Sequence, residues 1–153
     1  MQHSPEIESI LDKAHQFAKA NGHSYVTIEH VTLMLVKHKP FASTLEKYGT
    51  SVDLLESDLI EYLSTQPYYV GKNQEPRKTA ALERVFNRAL TQVMFSGRRK
   101  LETIDLWLAI MAENNSHACY FMLKHGLSRE DFVDFWTANH SPTKDDNSMS
   151  VSQ

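Results

Sequence analysis

A single cysteine, Cys119, among 153 residues leaves no intramolecular disulfide with which to staple a small, loop-rich fold. Glycine and proline contribute five residues each, too few for a turn-dense sandwich or a disordered chain. No apolar run approaches the roughly 20 residues that span a bilayer. The opening Met1-Gln2-His3-Ser4-Pro5-Glu6 has neither the basic start nor the apolar stretch of a secretory signal. Positive charge is not in excess either: 16 Lys and Arg against 19 Asp and Glu give a net charge of −3, so the whole molecule has no field that gathers nucleic acid or anionic lipid. No Gly-x-x-x-x-Gly-Lys-Ser/Thr phosphate loop occurs in the chain, which excludes nucleotide hydrolysis by that device. These absences point to a cytoplasmic protein of one domain.

The residues present favour helices. Hydrophobic residues make up 41% of the chain, enough for a single core. Ser4-Pro5-Glu6 opens a first helix, because the Ser oxygen can cap free amides, Pro at the first helical position loses nothing, and an early carboxylate suits the dipole. Ile7, Ile10, Leu11, Ala14, Phe17 and Ala18 form its inner stripe, and Asn21-Gly22 stops it. Thr27 starts a second helix that is apolar on nearly every side and ends near His38-Lys39-Pro40. A short third helix is expected from Phe41 to Tyr48, closed by Gly49, and a fourth behind Ser51 with Val52, Leu55, Leu59 and Leu63 inward. Residues 65–78 read as a loop. Thr79 then caps a fifth helix, Thr103 a sixth, Ser116 begins a seventh closed by Gly126, and Ser128 caps an eighth carrying Phe132, Val133, Phe135 and Trp136.

The second four helices follow the order of the first. Ala14 and Gly22 precede Ala89 and Gly97 by 75 positions, Thr27-Ile28-Glu29 precedes Thr103-Ile104-Asp105 by 76, and Lys47-Tyr48-Gly49 with Ser51 precedes Lys124-His125-Gly126 with Ser128 by 77. The expected fold is all-α, two pseudo-repeated four-helix units (about 5–64 and 79–138) packed into one eight-helix domain within 1–140. Each unit buries its most apolar helix, 28–37 or 104–114, against the other. Residues 141–153 are polar and read as a tail or the start of a linker.

Four segments carry a family resemblance: Tyr25-Val26-Thr27-Ile28-Glu29-His30-Val31, Leu82-Glu83-Arg84-Val85-Phe86-Asn87-Arg88-Ala89, Ser96-Gly97-Arg98 and Leu123-Lys124-His125-Gly126-Leu127-Ser128-Arg129. Over roughly residues 5–140 the chain resembles the Clp repeat domain at the N-terminus of Hsp100 unfoldases, those of ClpA more than of ClpB or ClpC. The resemblance implies a non-catalytic domain that hangs from an ATP-driven ring and recruits protein substrates or a ClpS-like adaptor for unfolding and degradation. Since the ATPase motifs of such rings are absent from this chain, the alternatives are an excised docking domain, which would reach the AAA+ ring and its peptidase through a parent chain, or a free-standing homologue that competes for adaptor or substrate.

Candidate functional residues follow from charge and from the resemblance. Arg84 and Arg88 lie four apart on the face of helix five opposite Leu82, Val85 and Ala89, a fork for carboxylates or simply a solvated face. The resemblance places Thr79, Arg84 and Arg88, with Arg129 beside them, where ClpA-like domains meet their adaptor. From Arg77 to Lys100 seven basic residues face one acid, Glu83, so this segment is +6 and the remainder −9. No helix-turn-helix spacing or interleaved aromatics accompanies it, which favours an acidic protein over nucleic acid. Glu29 and Asp105 are read either as first-turn carboxylates that suit the helix dipole or, by likeness to ClpC-like relatives, as a pair that recognises basic or phosphorylated arginine side chains. The spacings of His23, His30 and His38 match no zinc motif, Cys119 reads as a core residue, and no cofactor motif is found.

Overall fold

The computed structural model describes residues 2–66 and 75–140. In order, the elements are β1 (Gln2–His3), α1 (Pro5–Ala20), β2 (Tyr25–Val26), α2 (Ile28–Lys37), α3 (Lys39–Tyr48), α4 (Val52–Leu63), β3 (Arg77–Lys78), α5 (Ala80–Phe95), β4 (Lys100–Leu101), α6 (Thr103–Met111), α7 (His117–Lys124) and α8 (Arg129–Asn139). The fold is all-α, with eight helices among the described residues, as the periodicity predicts. The tail at 141–153 and most of the mid-chain loop, 67–74, lie outside the described residues.

Local chemistry sets the helix boundaries. Ser4 and Thr79 cap α1 and α5, their hydroxyls accepting from Ile7 N–H at 3.2 Å and Leu82 N–H at 3.1 Å. Ser116 and Ser128 do the same for α7 and α8. Four glycines with positive φ terminate helices or turns, Gly22, Gly49, Gly97 and Gly126, where a side chain would be strained. The expected third helix starts two residues early: Pro40 sits in its first turn, where a missing N–H costs nothing. Ser51 occupies the cap position of α4 without making a side-chain cap bond.

Two corrections concern the loop and the sixth helix. Arg77 and Lys78, expected as loop, form β3 and pair in parallel with Tyr25 and Val26. The cap of α6 is Glu102, with Thr103 the first helical residue, and the helix ends at Met111. The Asp105 carboxylate accepts from Glu102 N–H at 2.9 Å, as His30 Nδ1 accepts from Thr27 N–H at 2.9 Å in α2. Thr27 therefore corresponds to Glu102 and His30 to Asp105, an offset of 75 in place of the 76 read from the Thr-Ile-acid match. Glu29 and Asp105 are not equivalent positions.

The short strands interlock the two halves. β1 pairs in parallel with β4, and β2 with β3, so each strand of the first half bonds to one of the second. Ser4 N–H donates to Leu101 O at 3.0 Å and Thr79 N–H to Val26 O at 3.2 Å, two bonds related by the same 75-residue step. Between them α2 is buried from Ile28 to Val36 and packs against α1, α4 and α6. The core continues through Trp107, fully buried against Phe41 (ring centroids 4.9 Å apart) and Phe132.

Candidate docking face

Helix α5 projects Arg84 and Arg88 from the side opposite its buried Leu82, Val85, Ala89 and Val93. Four residues separate them, so both guanidinium groups reach the same neighbour, the Glu113 carboxylate just beyond the C-terminal end of α6. Arg84 donates to Oε2 at 2.5 Å and Arg88 pairs with Oε1 at 3.1 Å. Arg88 also donates to Ala109 O at 3.1 Å. The Arg84 guanidinium, bonded to it, holds the Glu113 carboxyl below the usual carboxylate range, with Arg88 adding to the effect. The fork predicted for a partner's carboxylate is thus already spanned by one from the same chain. Glu113 was missed in the sequence, although an acid after the last turn of an apolar helix opposes the helix dipole and signals nearby cations.

The six candidates fall into two adjoining recesses. Glu29, Thr79 and Arg84 help line one of about 280 Å³, together with Glu113, Asn115 and His117. Arg88, Asp105 and Arg129 line the other, of about 290 Å³, with Gln92, Ser96 and Arg98. The Arg84–Glu113–Arg88 bridge forms the ridge between them. The first opens at the C-terminal end of α6, between α5 and the start of α7, and the second runs along α6 between α5 and the start of α8.

The two carboxylates are engaged differently from each other: Asp105 serves its own helix start, as the first-turn reading expects, and Glu29 does not. Glu29 is buried, and its Oε2 accepts from Ala118 N–H at 2.9 Å, so it satisfies the first turn of α7 and not that of its own helix. Asp105 accepts from its own helix start and forms an ion pair with Arg98. Of the arginines, Arg129 is exposed, and its side chain has no hydrogen bond or ion pair among the described residues.

A buried histidine pair lies at the start of α2. His30 Nδ1 accepts from Thr27 N–H, so the ring proton sits on Nε2, which donates to His23 Nδ1 at 2.9 Å. Burial, with His23 adding to it, lowers the His30 pKa to about 4. Cys119 is buried, its thiol donating to Ile110 O at 3.0 Å, and burial raises its pKa, consistent with a packing role. Among the described residues no helix is long and apolar enough to cross a membrane.

Residues 2–125 match the Clp repeat (R) N-terminal domain. A ClpA homolog protein from Fuscovulum blasticum is 31% identical over 136 residues, 86% of this chain and 17% of that protein, so the chain spans a small part of this relative's length. Among solved structures, the Hsp104 N-terminal domain of Candida albicans superposes with a TM-score of 0.82 at 12% identity, covering 92% of this chain and 93% of that one. A ClpV N-domain in complex with a VipB peptide superposes with a TM-score of 0.69 at 16% identity, covering 89% and 85%. A fold shared with these N-domains and a family match over most of its length lead to one conclusion: the chain belongs to the Clp repeat (R) N-terminal domain family.

Proposed function

We propose that this chain is the adaptor- and substrate-docking domain of a Clp-type unfoldase, capturing a ClpS-like adaptor or a protein substrate on the Arg84–Arg88–Arg129 face and delivering it to an ATP-driven ring in the cytoplasm. The observation that carries this reading is the pair of adjoining recesses, which collects Thr79, Glu29 and Arg84 on one side of the Glu113 bridge and Arg88, Asp105 and Arg129 on the other. A family relative bound to a peptide supports protein capture as its use. Binding fits candidate side chains that are engaged in helix caps and ion pairs. Contact with the ring and its peptidase would run through the remainder of a longer protein, in keeping with the 17% of the ClpA homolog that this chain spans.

Glu113 gives the proposal a specific signature. A partner carboxylate must displace Glu113 from the arginine fork or share the fork with it, so the bridge is a built-in competitor. Replacing Glu113→Gln removes that competition while keeping the side chain's size, and adaptor binding is expected to tighten several-fold in a titration at low salt. Weaker binding by the variant, with its helical circular dichroism unchanged, would mean that Glu113 itself meets the partner and that the fork is not the docking element.

A further inference from the structure

Arg129 occupies an unusual position for a cation. It is the first residue of α8, where the helix dipole disfavours positive charge and where Glu130 and Asp131 follow. The corresponding residue 77 positions earlier, Val52 at the start of α4, is apolar and only 8% exposed, so packing at this kind of helix start does not require a charge. Arg129 is exposed and has no hydrogen-bond or ion-pair partner among the described residues.

Arg129 also lines two recesses. One is a recess of the candidate docking face, where Arg88 and Arg98 supply further charge. The other, of about 280 Å³, is walled by Met111, Cys119, Met122 and Leu123, with Asn114 at its edge. Met111, Cys119 and Met122 are nearly fully buried and form its floor, while Leu123 is 63% exposed and forms an open wall. The Cys119 thiol is bonded inward to Ile110 O and Met111 O, so it presents sulfur and not a free donor to the recess. Thioether walls adapt to aliphatic side chains of different shape.

From this juxtaposition we propose that the recess beside Arg129 binds the C-terminal end of a peptide whose last residue is aliphatic. The side chain fills the methionine-lined recess, the α-carboxylate pairs with the Arg129 guanidinium, and the Asn114 amide is placed to bond the peptide backbone. An unpaired arginine within reach of an apolar recess selects a ligand that carries a carboxylate and an aliphatic group on the same carbon, as a chain terminus does. The site shares Arg129 with the docking face but does not depend on the Arg84–Glu113 pair, so it stands or falls separately from adaptor docking.

The test is fluorescence anisotropy with labelled Gly-Ser-Gly-Ser-Ala-Leu as the free acid, the same peptide as its C-terminal amide, and an amidated peptide with an internal Leu-Asp step. The expected result is saturable binding of the free acid, with both amidated peptides weaker by about tenfold. Arg129→Gln should remove the preference for the acid, Leu123→Glu should weaken the free acid, and Arg84→Ala should leave its affinity unchanged. Each variant is at an exposed position, and circular dichroism checks its fold. Equal binding of acid and amide, equal binding of the internal acidic peptide, retention of the preference in Arg129→Gln, or no binding of the free acid at millimolar peptide would overturn the proposal.

Discussion

Glu29 shows how a residue can be visible in the sequence while its role is not. Its place in the first turn of α2 suggested self-capping, yet its carboxylate crosses 89 positions to bond Ala118 N–H. No local rule anticipates a bond between a side chain and a backbone amide so far apart in the chain. Glu29→Ala leaves that buried amide without a partner and should lower stability by about 1–3 kcal/mol in urea denaturation, while Glu29→Gln, which keeps an acceptor, should cost less. His30 was legible only as a histidine outside any zinc spacing. Its pKa of about 4 in the fold, against 6.5 in the unfolded chain, means that the unfolded state binds more protons between those values. Stability should therefore fall as pH drops through 6.5 and level off for this group below about 4, with a total contribution on the order of 3 kcal/mol. Glu113 and Asp58, whose carboxyls are held low by Arg84 and by His125, add losses of the same sign at the acid end. Urea midpoints measured from pH 7 to 4 check the sign, and His30→Asn should flatten the upper part of the window.

At the scale of elements, the caps and stops were the legible part. Ser4, Thr27, Thr79, Ser116 and Ser128 begin helices as their chemistry predicts, because capping is decided within four residues of sequence. Gly126 follows the C-terminal end of α7 at φ 82°, and nothing lies within 4 Å of where its Cβ would be. Gly126→Ala should then cost about 1–2 kcal/mol from backbone strain alone, read as a shift in the urea midpoint with no change in fold. The start of α6 was misplaced by one residue because Thr103-Ile104-Asp105 looks like Thr27-Ile28-Glu29, whereas the box is closed by Asp105 and His30. Composition hid this register, and only the acceptor geometry reveals it. The two-residue strands were equally hidden, since Arg77-Lys78 carries no alternation long enough to read and gains its structure from Tyr25-Val26 across the fold.

For the whole molecule, the interlocking of β1 with β4 and β2 with β3 ties the second half to the first, and the packing of the two halves brings the candidate residues together. Thr79, Arg84 and Arg88 come from α5 and its cap, Glu29 from α2, Asp105 from α6 and Arg129 from α8. Their gathering into two recesses beside α6 rests on the packing of α5 on α6 and is not encoded in any one segment. The family resemblance names most of these residues as candidates, whereas the carboxylate that ties Arg84 to Arg88 is visible only in the fold.

The central claim is that protein partners dock through the arginine fork of α5. Its most direct test is a calorimetric titration of this domain with a ClpS-type adaptor, alongside an Arg84→Ala, Arg88→Ala double variant whose helical circular dichroism is checked first. Saturable binding by the wild type is expected, weakened by at least about tenfold in the folded variant. Wild-type binding that survives the double substitution unchanged, or no binding by the wild type at all, would contradict it.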